Sequence, residues 1–224
     1  MFRKVAAVLL YLSLASPALA GDPGTQSGFY MGARYGSDLL HTPEERDRPG
    51  PGLLGSDRRS TVWSAFGGYR WGLGSGLRAG VEAGYADNGS SSITYASQNE
   101  YEFRSDEVDL LATLTWDVYR GAFVGMKVGA GRVRQRYVNT RLVTEPADYD
   151  SEERRVLAVA AVAVGYRFGM GLEVFVDFRR TFGDDSDTVN SAFVNSNPTP
   201  PPYRDSLGSV ARVDSVSVGV AYSF

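Results

Sequence analysis

The sequence predicts an all-β fold, namely an eight-stranded antiparallel up-and-down transmembrane β-barrel. Eight segments alternate apolar residues with small or polar ones at a period of two, which is the side-chain period of a β-strand. The connections between these segments are alternately long and short, as in barrels that cross a membrane. Charged residues share the face that carries glycine and other small residues. That face therefore suits a narrow lumen, and the apolar face suits lipid.

The chain begins with a predicted secretory signal peptide, residues 1–20, and the barrel is predicted to occupy residues 21–224. A basic start at Arg3 and Lys4 precedes a short apolar run that ends in Ala-Leu-Ala. The run is too short to cross about 30 Å of hydrocarbon as a helix. We therefore expect an exported protein that is cleaved after Ala20.

The first three predicted strands are residues 28–36, 61–71 and 77–86. In GFYMGARYG, one face carries Phe, Met and Tyr, and Arg34 lies on the other face. In TVWSAFGGYRW and LRAGVEAGYA, one face carries tryptophan, tyrosine, leucine and valine, and Glu82 lies on the opposite face. The linker GLGSG predicts a tight glycine-rich hairpin turn between the last two.

The fourth and fifth predicted strands are residues 107–118 and 122–133. EVDLLATLTWDV sets valine, leucine and tryptophan against aspartate and threonine. AFVGMKVGAGRV sets valine and methionine against a glycine-rich face that carries Lys127. The short connection around YRG indicates a second hairpin turn.

The last three predicted strands are residues 155–168, residues 172–182 and the C-terminal segment SVSVGVAYSF. RVLAVAAVAVGYRF is nearly all apolar and could form a helix, but its β-branched valines and the alternation at its end favour a strand. A GMG turn leads into LEVFVDFRRTF, which places Asp177 and Arg179 inside. No open sheet edge is tolerated in lipid, so the first and last strands should pair.

These segments resemble the small Gram-negative outer-membrane barrels, a group that contains the OmpA transmembrane domain, OmpX and the Opa-like surface proteins. The residues that carry the resemblance are GFYMGARYG, AFGGYRWGLGSGLRAGVEAGY and the C-terminal VGVAYSF. The resemblance implies a place in the cell outer membrane, with short periplasmic turns and with lipids, periplasmic chaperones and the barrel assembly machinery as partners. It also implies that the assembly machinery recognises the terminal residues Val218, Val220, Tyr222 and Phe224.

Outward aromatic side chains near the strand ends are predicted to form girdles at the two membrane interfaces. These girdle residues are Tyr35, Trp63, Tyr69, Trp71, Tyr85, Trp116 and Tyr166. Inside a narrow barrel, charges of both signs must pair, because an unpaired buried charge costs several kcal/mol. We predict a lumen ion-pair network centred on Glu82 and Lys127. The network residues are Arg34, Glu82, Lys127, Asp177 and Arg179.

Composition excludes several kinds of site. The chain has no cysteine, which excludes disulfides, thiol chemistry and cysteine-based metal sites. Its single histidine, His41, lies in the first long connection beside Thr42 and Glu44, and no serine is spaced from it as a catalytic triad requires. No phosphate-binding loop, dinucleotide fingerprint or basic cluster for nucleic acid is present. We therefore predict no catalytic residue, no metal, no cofactor and no nucleic-acid partner.

Three functions stay open. The first is a monomeric structural or surface-recognition protein with a charge-plugged lumen, which binds a host or cell-surface ligand through long loops. The second is a small-ion diffusion channel that the lumen network gates, as the resemblance to OmpA implies. The third is a hydrolase that modifies lipid A. In such an enzyme, His41 would have to act as the catalytic base, because it is the one histidine of the chain. The predicted outer loops are HTPEERDRPGPGLLGSDRR, SQNEYEFRSDE, RLVTEPADYDSEE and NSNPTPPPYRD.

Overall fold

The structure, a computed structural model, describes six stretches of the chain. The predicted signal peptide, His41 and the predicted loop NSNPTPPPYRD lie outside the described residues, so the interpretations placed on them stay predictions. Within the described stretches, no helix is long and apolar enough to cross a membrane. The described stretches are residues 27–40, 53–57, 59–95, 99–141, 149–184 and 210–224.

The described residues form nine β-strands and a single sheet. Their bounds are β1 (Gly28–Leu40), β2 (Leu53–Asp57), β3 (Arg59–Gly74), β4 (Leu77–Tyr95), β5 (Asn99–Tyr119), β6 (Ala122–Arg141), β7 (Tyr149–Arg167), β8 (Leu172–Thr181) and β9 (Val213–Ser223). All nine pair antiparallel with their neighbours. β2 pairs only with the far end of β4 and is not a barrel strand.

The barrel closes where β1 pairs with β9. The register runs from Tyr30 opposite Ser223 to Leu40 opposite Val213, so both edges of the eight-stranded sheet are occupied. This confirms the predicted eight-stranded antiparallel up-and-down barrel.

The outer surface of the barrel carries an apolar belt. On β9, Val216, Val218 and Val220 are about half exposed, while Ser215 and Ser217 between them are buried. The other barrel strands likewise place valine, leucine and methionine outside, and their inner faces carry small or polar residues with a large apolar side chain at a few positions. A soluble barrel would be arranged the other way round, so the belt has the composition of a surface that meets lipid.

The short connections lie together at one end of the barrel, which we call the turn end; the opposite end is the loop end. In the β3–β4 turn, Ser75 and Gly76 have φ of 52° and 75°, and in the β5–β6 turn, Arg120 and Gly121 have φ of 41° and 93°. Two successive left-handed residues define the type I′ turn, whose twist matches that of the flanking strands. These are the two hairpins that the sequence predicts.

β1 extends four residues past its predicted end, to Leu40, and β4–β7 extend farther at the loop end than the sequence predicts. Residues 99–107 belong to β5 and residues 149–155 to β7, although much of both was expected to be loop. Beyond the belt a strand needs no apolar face, so the hydrophobic alternation that marks a strand disappears there. We call these extensions of β4–β7, residues 86–95, 99–107, 132–141 and 149–155, the strand wall.

Four aromatic rings fill the turn-end half of the lumen, and each one packs against a glycine of another strand. A Cβ atom added at Gly165 would lie 2.6 Å from the ring of Phe123, and one added at Gly68 would lie 2.9 Å from the ring of Tyr30. The glycines of the inner face therefore make room for the rings. The four pairs are Tyr30 with Gly68, Phe66 with Gly32, Phe123 with Gly165 and Phe175 with Gly219.

We expect Gly219→Ala to destabilise the barrel, because the new methyl group would collide with the Phe175 ring. Overpacking of this kind costs roughly 1–3 kcal/mol. The free energy of unfolding in urea, measured with the protein in lipid vesicles, gives the loss. The matched control is Gly67→Ala on β3, where the nearest atom to a new Cβ is the Tyr30 carbonyl oxygen at 3.5 Å. Equal losses for the two variants would contradict the packing argument.

Candidate functional site

The buried charges of the lumen form three groups along the barrel. The central group is built around Glu82 on β4, whose side chain is 1% exposed. Lys127 Nζ donates hydrogen bonds to both Glu82 carboxylate oxygens, at 2.7 and 2.8 Å, and the Tyr30 hydroxyl donates a third at 2.9 Å. Arg34 donates to the same carboxylate and also lies 3.6 Å, Nε to Oδ2, from Asp177. Two cations and two carboxylates therefore balance at mid-barrel.

Aromatic rings enclose the two cations of the central group. The Arg34 guanidinium carbon lies 4.2 Å from the centroid of the Phe66 ring, and Lys127 Nζ lies 5.0 Å from the same centroid. The Phe175 centroid is 5.8 Å from Lys127 Nζ. Ring faces attract cations electrostatically, so these phenylalanines stabilise the charges while they exclude water.

The turn-end group contains three arginines and two carboxylates. Glu173 accepts hydrogen bonds from Arg70 at 2.7 and 2.8 Å and from Arg167 at 2.8 Å. Asp117 accepts from Arg167 at 2.8 and 2.9 Å and from Arg78 at 2.8 Å. Arg167 bridges the two carboxylates, and cations are in excess at this end.

The loop-end group has the opposite balance. Arg179 donates to Glu107 at 2.7 Å and to Asp109 at 2.6 Å, and Thr181 donates to Glu107 at 2.9 Å. Asp38, which is 1% exposed, adds a third carboxyl group at this end of the lumen. The net charge of the buried groups therefore changes from positive at the turn end to negative at the loop end.

The structure divides the predicted lumen network between two of these groups. Arg34, Glu82, Lys127 and Asp177 lie together in the central group, whereas Arg179 belongs to the loop-end group. Arg179 is two residues farther along β8 than Asp177, which places it about 7 Å closer to the loop end at about 3.4 Å per residue. The sequence analysis does not name its partner Glu107, although Glu107 lies on the same face of β5 as Asp109.

The predicted girdle residues all belong to the outward face and lie in two zones. At the turn end, the rings of Tyr69 and Trp71 are 5.1 Å apart between centroids, and Trp116 and Tyr166 are about half exposed on other strands. At the loop end the predicted girdle residues lie on β1, β3 and β4, where Trp63 and Tyr85 have centroids 5.6 Å apart. The loop-end members are Tyr35, Trp63 and Tyr85. Phe182, just past the loop end of β8, is also about half exposed.

On β6 and β7, the loop-end rim of the belt carries arginines. On β1, β3 and β4, the same rim carries aromatic rings. Arg132, Arg134 and Arg154 face outward, and Arg134 and Arg154 are directly opposite each other across the two strands. Both of these contact Glu152. We call these three residues the arginine strip. The predicted strands end at Val133 and begin again at Arg155, so Arg134 and Arg154 lie just outside them, although the alternation in RVRQR marks a strand with arginine on one face.

The predicted assembly signal lies on β9 and just beyond it. Val218, Val220 and Tyr222 face outward and are each about half exposed. The rings of Tyr222 and Phe224 pack edge to face with centroids 5.1 Å apart, and the Phe224 N–H donates to the carbonyl oxygen of Phe29 at 2.9 Å. The C-terminal residue is thus held against the first strand, and its role in assembly stays a prediction.

No group of three or more histidine, cysteine, aspartate or glutamate side chains could hold a metal ion in the part of the chain that the structure describes. His41 lies outside that part, and the hydrolase hypothesis stays a prediction.

Comparison with known proteins identifies the family to which this architecture is related. A family model described as the outer membrane protein β-barrel domain matches residues 6–224. No curated protein matches the chain significantly.

Three solved structures illustrate the likeness. Ail, the attachment invasion locus protein of Yersinia pestis in complex with the heparin analogue sucrose octasulfate, has a TM-score of 0.51 at 9% identity, with coverage of 89% of this chain and 100% of that chain. Neisserial surface protein A has a TM-score of 0.47 at 12% identity, with coverage of 89% and 99%. The outer membrane protease OmpT of Escherichia coli has a TM-score of 0.45 at 12% identity, with coverage of 88% and 96%. At these identities the likeness concerns the fold alone.

We expect Glu82→Gln to reduce the free energy of unfolding by about 3–5 kcal/mol, because it leaves two buried cations without their shared carboxylate. Unfolding in urea in lipid vesicles measures the loss. The double variant Glu82→Gln/Lys127→Met removes one charge of each sign and should recover most of it. A double variant as unstable as the single one would show that the ion pairs do not stabilise the lumen.

Proposed function

The chain belongs to the outer membrane protein β-barrel domain family, and on this premise we propose that it is a non-enzymatic surface protein that recognises a ligand outside the cell. As an integral protein of the outer membrane, it spans the bilayer through its apolar belt. The turn end then faces the periplasm and the loop end faces the exterior.

The strand wall is the observation that carries this proposal. Hydrogen-bonded pairing between β5 and β6 continues from Val108, at the edge of the belt, to Asn99 opposite Arg141. Residues 99–107 extend about 30 Å at about 3.4 Å per residue. β4 and β7 continue beside them, so four adjacent strands project beyond the belt on one side of the barrel.

A paired wall is better suited to recognition than a set of flexible loops. Its backbone is ordered before a ligand arrives, so less conformational entropy is lost on binding. Strand pairing also holds outward polar side chains of the wall at fixed spacings, for example the ion pair of Arg104 with Glu102. Hydrogen bonds from Arg104 hold the pKa of Glu102 below its ordinary value, so this carboxylate remains charged at neutral pH.

The filled lumen supports a scaffold role for the barrel. Ion pairs and aromatic rings occupy its central and turn-end parts, and eight-stranded barrels are just wide enough for side chains to fill them. Sites built on rigid scaffolds hold their geometry well. The barrel would then anchor the strand wall in the membrane.

A small-ion channel is a second candidate, and one contact favours it. Arg34 contacts Glu82 and also lies 3.6 Å from Asp177, so it could exchange one carboxylate for the other. Such an exchange would move a charged side chain within the lumen and could open a path for ions.

A trimmed barrel that lacks most of the strand wall tests recognition. We expect it to lose binding of the extracellular ligand. Ser91 and Phe103 are directly opposite on β4 and β5, and Gln135 and Glu153 are opposite on β6 and β7. In the trimmed variant, Asn-Gly turns replace residues 92–102 and 136–152. Cells that display the whole chain should bind immobilised heparin or at least one of a panel of extracellular-matrix proteins, and trimming should weaken that binding about tenfold or more.

Folding of the trimmed barrel is checked by the heat-dependent shift in its gel mobility. Cells without the protein serve as the background. The recognition proposal fails if the trimmed barrel binds as well as the whole chain, or if the whole chain binds none of the probes above background.

For the channel candidate, the measurement is single-channel current across a planar bilayer. The expected result is discrete current steps that change in size or frequency in Glu82→Ala, because this substitution releases Lys127 and Arg34 from their shared partner. An absence of current from both folded proteins would exclude conduction through the lumen.

A further inference from the structure

We propose that the arginine strip binds the phosphate groups of a phosphorylated lipid in the outer leaflet of the membrane. The residues are Arg132, Arg134 and Arg154, on the outward face of β6 and β7. This inference rests on the membrane location of the barrel and not on ligand recognition by the strand wall.

The depth of the strip matches the level of lipid headgroups. Arg132 lies directly between Val108 and Val156, which are 57% and 68% exposed and are the last apolar residues of the belt on their strands. An arginine on the lipid face costs roughly 2–4 kcal/mol at the bilayer midplane but about 0–1 near the interface. Arg134 and Arg154 lie one step beyond Arg132, on the water side of this boundary.

The electrostatics of the strip leave positive charge unpaired. Arg134 and Arg154 are directly opposite each other, and like charges in such positions destabilise a sheet. Glu152 contacts both arginines. Hydrogen bonds donated mainly by Arg134 and secondarily by Arg154 hold the pKa of Glu152 below its ordinary value, so this carboxylate stays ionised. Asp106 lies opposite Arg134 on β5 and adds a second carboxylate beside the strip. Two carboxylates cannot neutralise three arginines, and Arg132 has no ion pair within the described residues.

The surplus charge is accessible and has the geometry that phosphate requires. The side chains of Arg134 and Arg154 are 43% and 53% exposed, respectively. A guanidinium group binds phosphate oxygens through two parallel N–H donors, which a lysine cannot do. Several guanidinium groups side by side can therefore hold a phosphate monoester, and its negative charge relieves the repulsion between them.

The position of the strip decides between a lipid and a soluble anion. The strip is continuous with the apolar belt, so a ligand that contacts both surfaces needs a charged head and apolar chains. A soluble phosphate would gain nothing from the neighbouring valines. We therefore assign the site to a phosphorylated lipid.

Arg180 provides an internal comparison. It faces outward near the loop end of β8, and its guanidinium forms two hydrogen bonds with Asp214, at 2.6 and 3.0 Å. Arg212 lies 3.9 Å from the same carboxylate, beyond hydrogen-bond distance, so Asp214 pairs chiefly with Arg180. Arg180 is therefore a control for general attraction between any rim arginine and an anionic membrane.

The test measures binding of a lipid by the whole refolded protein. The probes are lipid A with two phosphates and lipid A with one phosphate removed, each titrated as a fluorescent derivative in neutral micelles. Arg134→Gln/Arg154→Gln should raise the Kd for the doubly phosphorylated probe about tenfold or more. Removal of one phosphate should weaken binding by the unmodified protein and have little effect on the variant.

The matched control is Arg180→Gln/Arg120→Gln, which removes the same charge outside the strip. Its Kd should stay within about twofold of the unmodified protein. Should Arg134→Gln/Arg154→Gln not fold, Arg134→Lys/Arg154→Lys keeps the charge, loses the paired donors and should still weaken binding. Unchanged affinity in the strip variants, equal loss in the control, or displacement of the lipid by millimolar inorganic phosphate would overturn the assignment.

The trimmed barrel separates this inference from the proposed function. It lacks residues 92–102 and 136–152 but keeps Arg132, Arg134 and Arg154. Lipid binding should therefore survive trimming, whereas recognition of an extracellular ligand should be lost. Loss of lipid binding by the folded trimmed barrel would count against the strip.

Discussion

The pairing of β1 with β9 is the constraint on which the rest of the structure depends. It closes the sheet at eight strands, and strand number sets the width of the lumen. A lumen this narrow cannot hold large side chains from every strand at one level. Glycine therefore faces each large ring, as Gly219 faces Phe175, and the remaining space holds buried charges that must find partners.

Those charges are not spread evenly along the barrel. Three arginines share two carboxylates at the turn end, whereas at the loop end Arg179 is the one cation paired with Glu107 and Asp109 among the described residues. The central group, with Glu82 between Arg34 and Lys127, is balanced. The lumen is thus ordered by charge as well as by volume, and the balanced group lies at mid-barrel.

The sequence predicts the barrel well and the surface beyond the belt poorly. Alternation at a period of two identifies all eight barrel strands and the inward face of Glu82 and Lys127, because lipid on one side and a narrow lumen on the other impose that pattern. Beyond the belt no such pressure exists, so the strand wall resembles loops in the sequence. The separation of Arg179 from Asp177 and the pairing of Arg134 with Arg154 depend on register between strands, which a single chain does not reveal.

The strand wall has one further consequence, which concerns its edges. A sheet that leaves the barrel exposes backbone N–H and C=O groups along its outermost strands, and such edges invite pairing with other chains. β2 covers the β4 edge, whereas β7 beyond Ala158 has no strand partner on that side within the described residues. Glu152 and Arg154 lie along this open edge, and charged side chains there discourage pairing. The wall can therefore stand clear of the membrane without recruiting neighbouring copies into a continuous sheet.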